Sequence, residues 1–142
     1  MSKSDRLEPL ANLAGIRESE AARELADCLA ELRSKETELE QLRAYLEEYA
    51  KPGEASNQSV DSLRWRNAQQ FIGRLSEAIE VQESELKRVR DRFRAEAEKW
   101  RASHRHAKAV ERLLDKYYRE ELKEMARREQ HELDELVLRL TR

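Results

Sequence analysis

Thirty carboxylates, three histidines and one cysteine are the side chains of this 142-residue chain with the obvious means for acid–base, metal or nucleophilic chemistry. Carboxylates do acid–base work when a concave, water-excluding pocket shifts their pKa values, and nothing in their even spread along the chain suggests such a pocket. They read as a solvated surface. His104, His106 and His131 are the candidate metal ligands, but His104 and His106 stand two residues apart, on different faces of a helix, and no Cys or Asp completes a ligand set near them. No GxxxxGK[ST] string is present to cradle phosphates. Cys28, being alone, has no intramolecular disulfide partner; it is read as a small buried hydrophobe in a reducing, cytosolic compartment. The expectation is therefore a protein with no catalytic residue, no metal and no cofactor, and not an enzyme. One stretch invites another chemistry. Lys87 to Arg112 holds ten basic and four acidic residues with Phe93 and Trp100 among them, which could serve phosphates and bases of a nucleic acid.

What positions these residues follows from composition. The chain is 41% charged and 39% hydrophobic, with only three glycines and two prolines, too few turn formers to punctuate a multi-stranded sheet. Long helices are expected. The single strong turn signal is Lys51-Pro52-Gly53-Glu54-Ala55-Ser56-Asn57-Gln58-Ser59, where Pro52 ends one helix and Ser59 or Asp61 caps the next. The reading is an all-α fold made of one unit over residues 1–142: a first helix over about 4–50, a loop over about 51–60 and a second helix over about 61–140. Pro9 is expected within the first turn, where a missing amide hydrogen costs nothing. The chain does not open on a basic segment followed by an apolar run, and no apolar stretch approaches the roughly 18 residues of a membrane span. A soluble protein without direct membrane insertion is expected, and the formal net charge of −2 argues against a global nucleic-acid or membrane footprint.

The hydrophobic period is seven. Leu25, Leu32, Leu39 and Leu46 form one track of the first helix, and Leu7, Ala14, Ala21, Cys28, Lys35, Leu42 and Tyr49 form the second. The second helix carries Trp65, Ile72, Ile79, Leu86, Phe93, Trp100, Ala107 and Leu114, beside the more polar Ala68, Leu75, Gln82, Val89, Glu96, Ser103, Val110 and Tyr117. These are heptad core tracks and predict an antiparallel coiled-coil hairpin. Phe93 and Trp100 fall on a core track, so the basic run is read as answering acidic residues of the first helix or of a protein partner. Residues 1–61 carry 14 acidic and 8 basic groups, against 16 and 20 for residues 62–142, which favours pairing of the two helices.

At 1.5 Å per residue the helices run to roughly 70 and 120 Å, so the second is much longer and projects. A register in which paired residue numbers sum to 114 matches large with small side chains: Tyr49 with Trp65, Leu46 with Ala68, Ala21 with Phe93, Ala14 with Trp100. It also sets Glu18 against Glu96. In this register the second helix projects alone beyond about Val110. After Leu114 the rhythm changes: Tyr118, Leu122, Met125, Leu133, Leu136 and Leu140 follow an eleven-residue repeat, which does not prolong a left-handed supercoil. Such an amphipathic helix is a docking element. Next to the loop, Tyr45, Phe71 and Ala78 flank the seam of Leu42, Tyr49 and Leu75. They supply more aromatic surface than a two-stranded seam uses, a mark of a protein-binding patch.

The segment Arg64-Trp65-Arg66-Asn67-Ala68-Gln69-Gln70-Phe71-Ile72, continuing to Glu77-Ala78-Ile79-Glu80, resembles the FliJ family of flagellar type III export proteins. Leu7-Glu8-Pro9-Leu10, Ala21-Ala22-Arg23, the trio Leu42, Tyr45 and Tyr49, Trp100-Arg101 and Leu133-Asp134-Glu135 fit the same pattern, so the resemblance spans nearly the whole chain. It implies a monomeric antiparallel hairpin similar to the coiled coil of the rotary ATPase gamma subunit. It further implies a cytoplasmic, non-enzymatic part of the export machinery, associated with the inner membrane through that machinery. The implied partners are the hexameric export ATPase, whose ring assembly such proteins promote, the cytoplasmic linker of the membrane export gate, and export chaperones that they escort. By the family's pattern the gate-linker surface falls on Glu38, Leu42, Tyr45, Tyr49, Phe71, Leu75, Ala78 and Gln82. The pattern has glutamine where Glu38 stands and histidine where Gln82 stands. Leu122, Met125, Leu133 and Leu136 are the residues expected to face the ATPase ring. Three other readings compete: the equivalent stalk of a virulence type III secretion system, a self-associating structural coiled coil, which the Pro-Gly loop disfavours, and a nucleic-acid binder.

Overall fold

In the computed structural model, which describes residues 1–51 and 62–141, the chain forms two α-helices, α1 (Lys3–Ala50) and α2 (Ser62–Leu140), packed against each other in an all-α hairpin. The expected loop and the capping roles of Ser59 and Asp61 lie outside the described residues. The first helix starts at Lys3, within one residue of the expected start at about residue 4, and opens on a reciprocal cap: the Ser2 hydroxyl accepts from the Asp5 amide at 3.2 Å while the Asp5 carboxylate accepts from the Ser2 amide at 3.2 Å. This places Pro9 at the seventh helical residue, past the first turn in which it was expected, so the Asp5 carbonyl lacks its amide donor there. At the other terminus Thr141 donates from its hydroxyl to the Val137 and Leu138 carbonyls, satisfying groups a helix end leaves open.

The chain divides into two compact units, each containing a stretch of both helices: Arg23–Glu98, and Met1–Ala22 with Lys99–Arg142. In the first of these, Leu32, Leu39, Leu75, Ile79, Leu86 and Val89 form the core, with Leu42, Leu46 and Phe93 packed at its margin. These residues are the heptad tracks read from the sequence. Ion pairs flank them: Arg43 to Glu83 at 3.1 Å, Arg92 to Glu31 at 3.1 Å and Arg90 to Glu36 at 4.0 Å. In the second unit, Ser4, Leu7, Ala11, Ala14, Glu18 and Ala21 are the covered positions of α1, at alternating steps of three and four. Contacts crossing between its two stretches include Ser4 with Glu121, Glu18 with His104, and the Lys3 ammonium over the Tyr117 ring at 5.5 Å.

Those pairs correct the register. The expected alignment would set Glu31 against Glu83, Ser4 against Val110 and Glu18 against Glu96. Only shifts by whole heptads keep both seams facing, and a shift of one heptad satisfies the observed contacts. It brings Cys28 level with Phe93 and Ala21 level with Trp100, so small still meets large. Trp65 and Ala68, expected in the seam, are exposed, with Trp65 62% accessible. The shift also replaces a carboxylate–carboxylate layer with the Glu18–His104 contact at 2.8 Å. The helices remain paired as far as Glu121 rather than Val110, and residues 122–140 are exposed throughout. At the start of α2, residues 62–70 are exposed as well, since α1 ends at Ala50.

Candidate interaction surfaces

Among the described residues no group of three or more His, Cys, Asp or Glu is placed to hold a metal ion, and no helix is long and apolar enough to cross a membrane. The features that stand out are surfaces, one in each unit.

In the unit Arg23–Glu98, Tyr45, Tyr49 and Phe71 are 55%, 54% and 43% exposed. Tyr45 and Phe71 stand at positions flanking the seam, while Tyr49, expected on the core track against Trp65, is exposed because the seam of the shifted register closes before it. The Tyr49 and Phe71 rings meet edge to face with centroids 4.8 Å apart, a geometry that holds both rings in place and is worth about 0.5–1.5 kcal/mol beyond area burial. Ala78 is half-buried beside them, and Glu38 is exposed with its carboxylate 3.7 Å from Lys35. Leu42 lies at the core margin, and Leu75, at 8% exposure, sits within the core. Gln82 occupies a seam position, where its Oε1 is buried with no hydrogen-bond partner. The eight sequence-chosen residues thus divide into an exposed aromatic cluster with Glu38, and a layer beneath it that holds the helices together. Trp65 and Val81, exposed at 62% and 60%, were not among them. The heptad pattern placed Trp65 in the seam, and nothing marked Val81.

In the other unit, Leu122, Met125, Leu133 and Leu136 are 66%, 58%, 55% and 52% exposed. At 100° per residue they line one face of α2 together with Leu140, turned by about 110° from the seam that ends at Glu121. Val137 and Leu138 are exposed too. Ion pairs within the helix, Glu124 with Arg127 and Arg128 at 3.6 Å and His131 with Glu135 at 3.2 Å, support a stretch that has no packing partner to stabilise it. Immediately before it, the Ser4 hydroxyl donates to Glu121 Oε2 at 2.6 Å and the Ser4 amide to Oε1 at 3.1 Å. These bonds, the hydroxyl's first, hold the Glu121 carboxyl below its ordinary range. The signal for this clasp was a serine in phase with the core track.

The basic run of α2 is engaged with carboxylates, Arg90 and Arg92 across the helices, Arg88 with Glu85 at 2.8 Å and Lys108 with Glu111 at 3.3 Å along the helix. Phe93 is packed on the core and Trp100, half-buried, stacks on His104 with centroids 5.0 Å apart, so both aromatics sit in the seam as the heptad track required.

No curated protein matches the chain. A family model does, the flagellar FliJ protein, over residues 2–142. With the match covering both helices and both exposed surfaces, and with the Arg-Trp…Gln-Gln-Phe-Ile segment inside it, the chain belongs to the FliJ family of flagellar export apparatus proteins.

Proposed function

We propose that this export-apparatus component acts as a non-enzymatic adaptor that uses its two exposed surfaces for two different partners. The aromatic cluster of Tyr45, Tyr49 and Phe71, with Glu38, Ala78 and the underlying Leu42, Leu75 and Gln82, receives the cytoplasmic linker of the export gate. The C-terminal stripe of Leu122, Met125, Leu133 and Leu136 meets the hexameric export ATPase and promotes assembly of its ring. One hairpin set against a six-fold ring contacts its subunits unequally and so biases which of them binds or releases nucleotide. Escort of export chaperones, and residence in the cytoplasm against the inner membrane, follow from the same placement between ATPase and gate.

The observation that carries this reading is the exposed, edge-packed aromatic cluster on a coiled coil whose seam does not need it. Large aromatic side chains left in water beside a satisfied core are the composition of interface hot spots. Two measurements test it. Stoichiometric addition of the protein raises oligomerisation and ATP turnover of the cognate export ATPase; unchanged turnover refutes the ring role. Tyr45→Ala with Phe71→Ala abolishes binding of the purified gate linker while helical circular dichroism persists; retained affinity refutes the patch. Sedimentation of the free protein gives a monomer at all concentrations, and a concentration-dependent dimer would favour the self-associating alternative.

A further inference from the structure

Between the Ser4–Glu121 and Glu18–His104 contacts, the unit of Met1–Ala22 with Lys99–Arg142 leaves three leucines in water. Leu10 and Leu13 of α1 are 57% and 43% exposed, and Leu113 of α2 is 38% exposed. Register brings them together. Leu10 is six residues after Ser4 and Leu113 eight before Glu121, so at 1.5 Å per residue the two are level to within about 3 Å. Each stands one residue before a covered position, Ala11 and Leu114, and antiparallel helices set such flanking positions on one side. Arg92 and Glu31 hold the same places before Phe93 and Leu32, and there they meet at 3.1 Å. Where that flank carries an ion pair, this one carries Leu10 and Leu113, with Leu13 one turn further along α1. The seam beside them is already closed by Leu7, Ala11 and Ala14, so it does not use them.

Charge narrows the occupant. Neighbours on a helix surface lie three and four residues away. Around the three leucines those positions hold Arg6, Arg17 and Lys116 and no carboxylate, in a chain with more acidic than basic residues. All three cations are exposed, and among the described residues no carboxylate pairs with them. An anionic membrane is the poorer match, because surface binding draws on clusters of about four to eight cations. A helix is the better one. Leucines on both arms of a hairpin wall a shallow groove, into which a third helix lays an apolar stripe. We propose that the Leu10–Leu13–Leu113 flank docks an acidic amphipathic helix of a partner protein, its apolar stripe on the leucines and its carboxylates on Arg6, Arg17 and Lys116. This surface is additional to the aromatic cluster and the C-terminal stripe, and it depends on neither assignment.

The test titrates the full chain with a designed helical peptide of three heptads, leucine at a and d and glutamate at e and g, read by fluorescence anisotropy at low and high salt. The acidic peptide binds, and salt weakens it; a version with lysine for glutamate binds at least about tenfold more weakly. Leu10→Ala with Leu13→Ala costs about tenfold or more, as loss of central apolar anchors does. Arg6→Glu with Arg17→Glu reverses the preference in favour of the lysine peptide. Melting temperatures of both variants stay at or above that of the parent, because the altered side chains are exposed. Tyr45→Ala with Phe71→Ala, and Leu122→Ala with Leu133→Ala, bind the acidic peptide as the parent does. If the leucine and arginine variants bind it unchanged, or the loss falls instead on the Leu122 and Leu133 pair, this site is wrong while the gate and ring readings keep their own tests. Binding to vesicles of about one part phosphatidylserine to three of phosphatidylcholine, with no grip on the acidic peptide, makes the occupant a lipid surface and overturns the helix. A dimer of the free protein that Leu10→Ala with Leu13→Ala disperses puts a second copy there and overturns the partner.

Discussion

Trp65→Ala and Leu39→Ala together decide between the two registers the heptads allow. In the observed pairing Leu39 is 2% exposed and lies among Leu32, Leu75, Ile79, Leu86 and Val89. Truncation removes three carbons from a filled layer, at about 0.8 kcal/mol of transfer free energy each, plus a cavity term that a two-helix seam relieves by closing up. The loss is about 2–4 kcal/mol. Trp65, at 62% exposure, keeps most of its side chain in water, so its replacement changes stability by under about 0.5 kcal/mol. One heptad away, with Trp65 seated against Tyr49, the same truncation would cost about 3–5 kcal/mol. Urea unfolding followed by far-ultraviolet circular dichroism reads both numbers, with equal slopes confirming that the unfolded surface is unchanged. A Trp65→Ala loss comparable to that of Leu39→Ala would refute the register and everything placed by it.

Gly15 and Gly73 sit inside helices where a β-carbon would meet nothing within 4 Å, and neither adopts a positive φ. Gly15→Ala and Gly73→Ala should each stabilise the hairpin by about 1 kcal/mol, visible as higher melting temperatures, and the two gains should add because the sites are far apart in sequence and share no neighbour. The Glu121 carboxyl is held below its ordinary range by Ser4, so its contribution is present above the unfolded-state value and is lost as pH falls through the lower folded one. An NMR titration should find the Glu121 midpoint below the ordinary glutamate range, and Ser4→Ala, which removes the hydroxyl's bond, should raise it; an ordinary midpoint in the parent would mean the clasp does not form in solution.

The heptads made the seam legible almost residue by residue. From Leu7 to Leu46 each expected core position of α1 is buried or half-buried, and so is each from Ile72 to Tyr117 of α2. Register was not legible, for a reason inherent in the code: a seven-residue repeat is nearly unchanged when slid by seven, and matching large with small scored both alignments well. The carboxylates of Glu18 and Glu96 were the one layer that distinguished them, and His104 beside Glu18 resolves it. The exposed aromatics Tyr45 and Phe71 could be found because they flank the seam, whereas Tyr49, read as a core position, is 54% exposed, and Leu75, read as seam, lies inside. The start of α1 at Lys3 was legible to within one residue, but Pro9, expected in the tolerant first turn, is its seventh residue and lies beyond it. The apolar stripe was legible from its change of period after Leu114, while the start of the unpaired stretch moved from about Val110 to Leu122 with the register.

Pro9 and the Ser4–Glu121 clasp sit together at the opening of α1, one subtracting a backbone bond and the other adding two bonds that depend on a single carboxylate. Segments with few stabilising contacts open far more often than the core beside them. Each heptad of α1 that lets go uncovers about 10 Å more of α2. The bare length of the long helix is therefore an adjustable quantity, set by the balance at one proline and one serine, and a partner that grips α2 near Glu121 gains purchase by prising the short helix back.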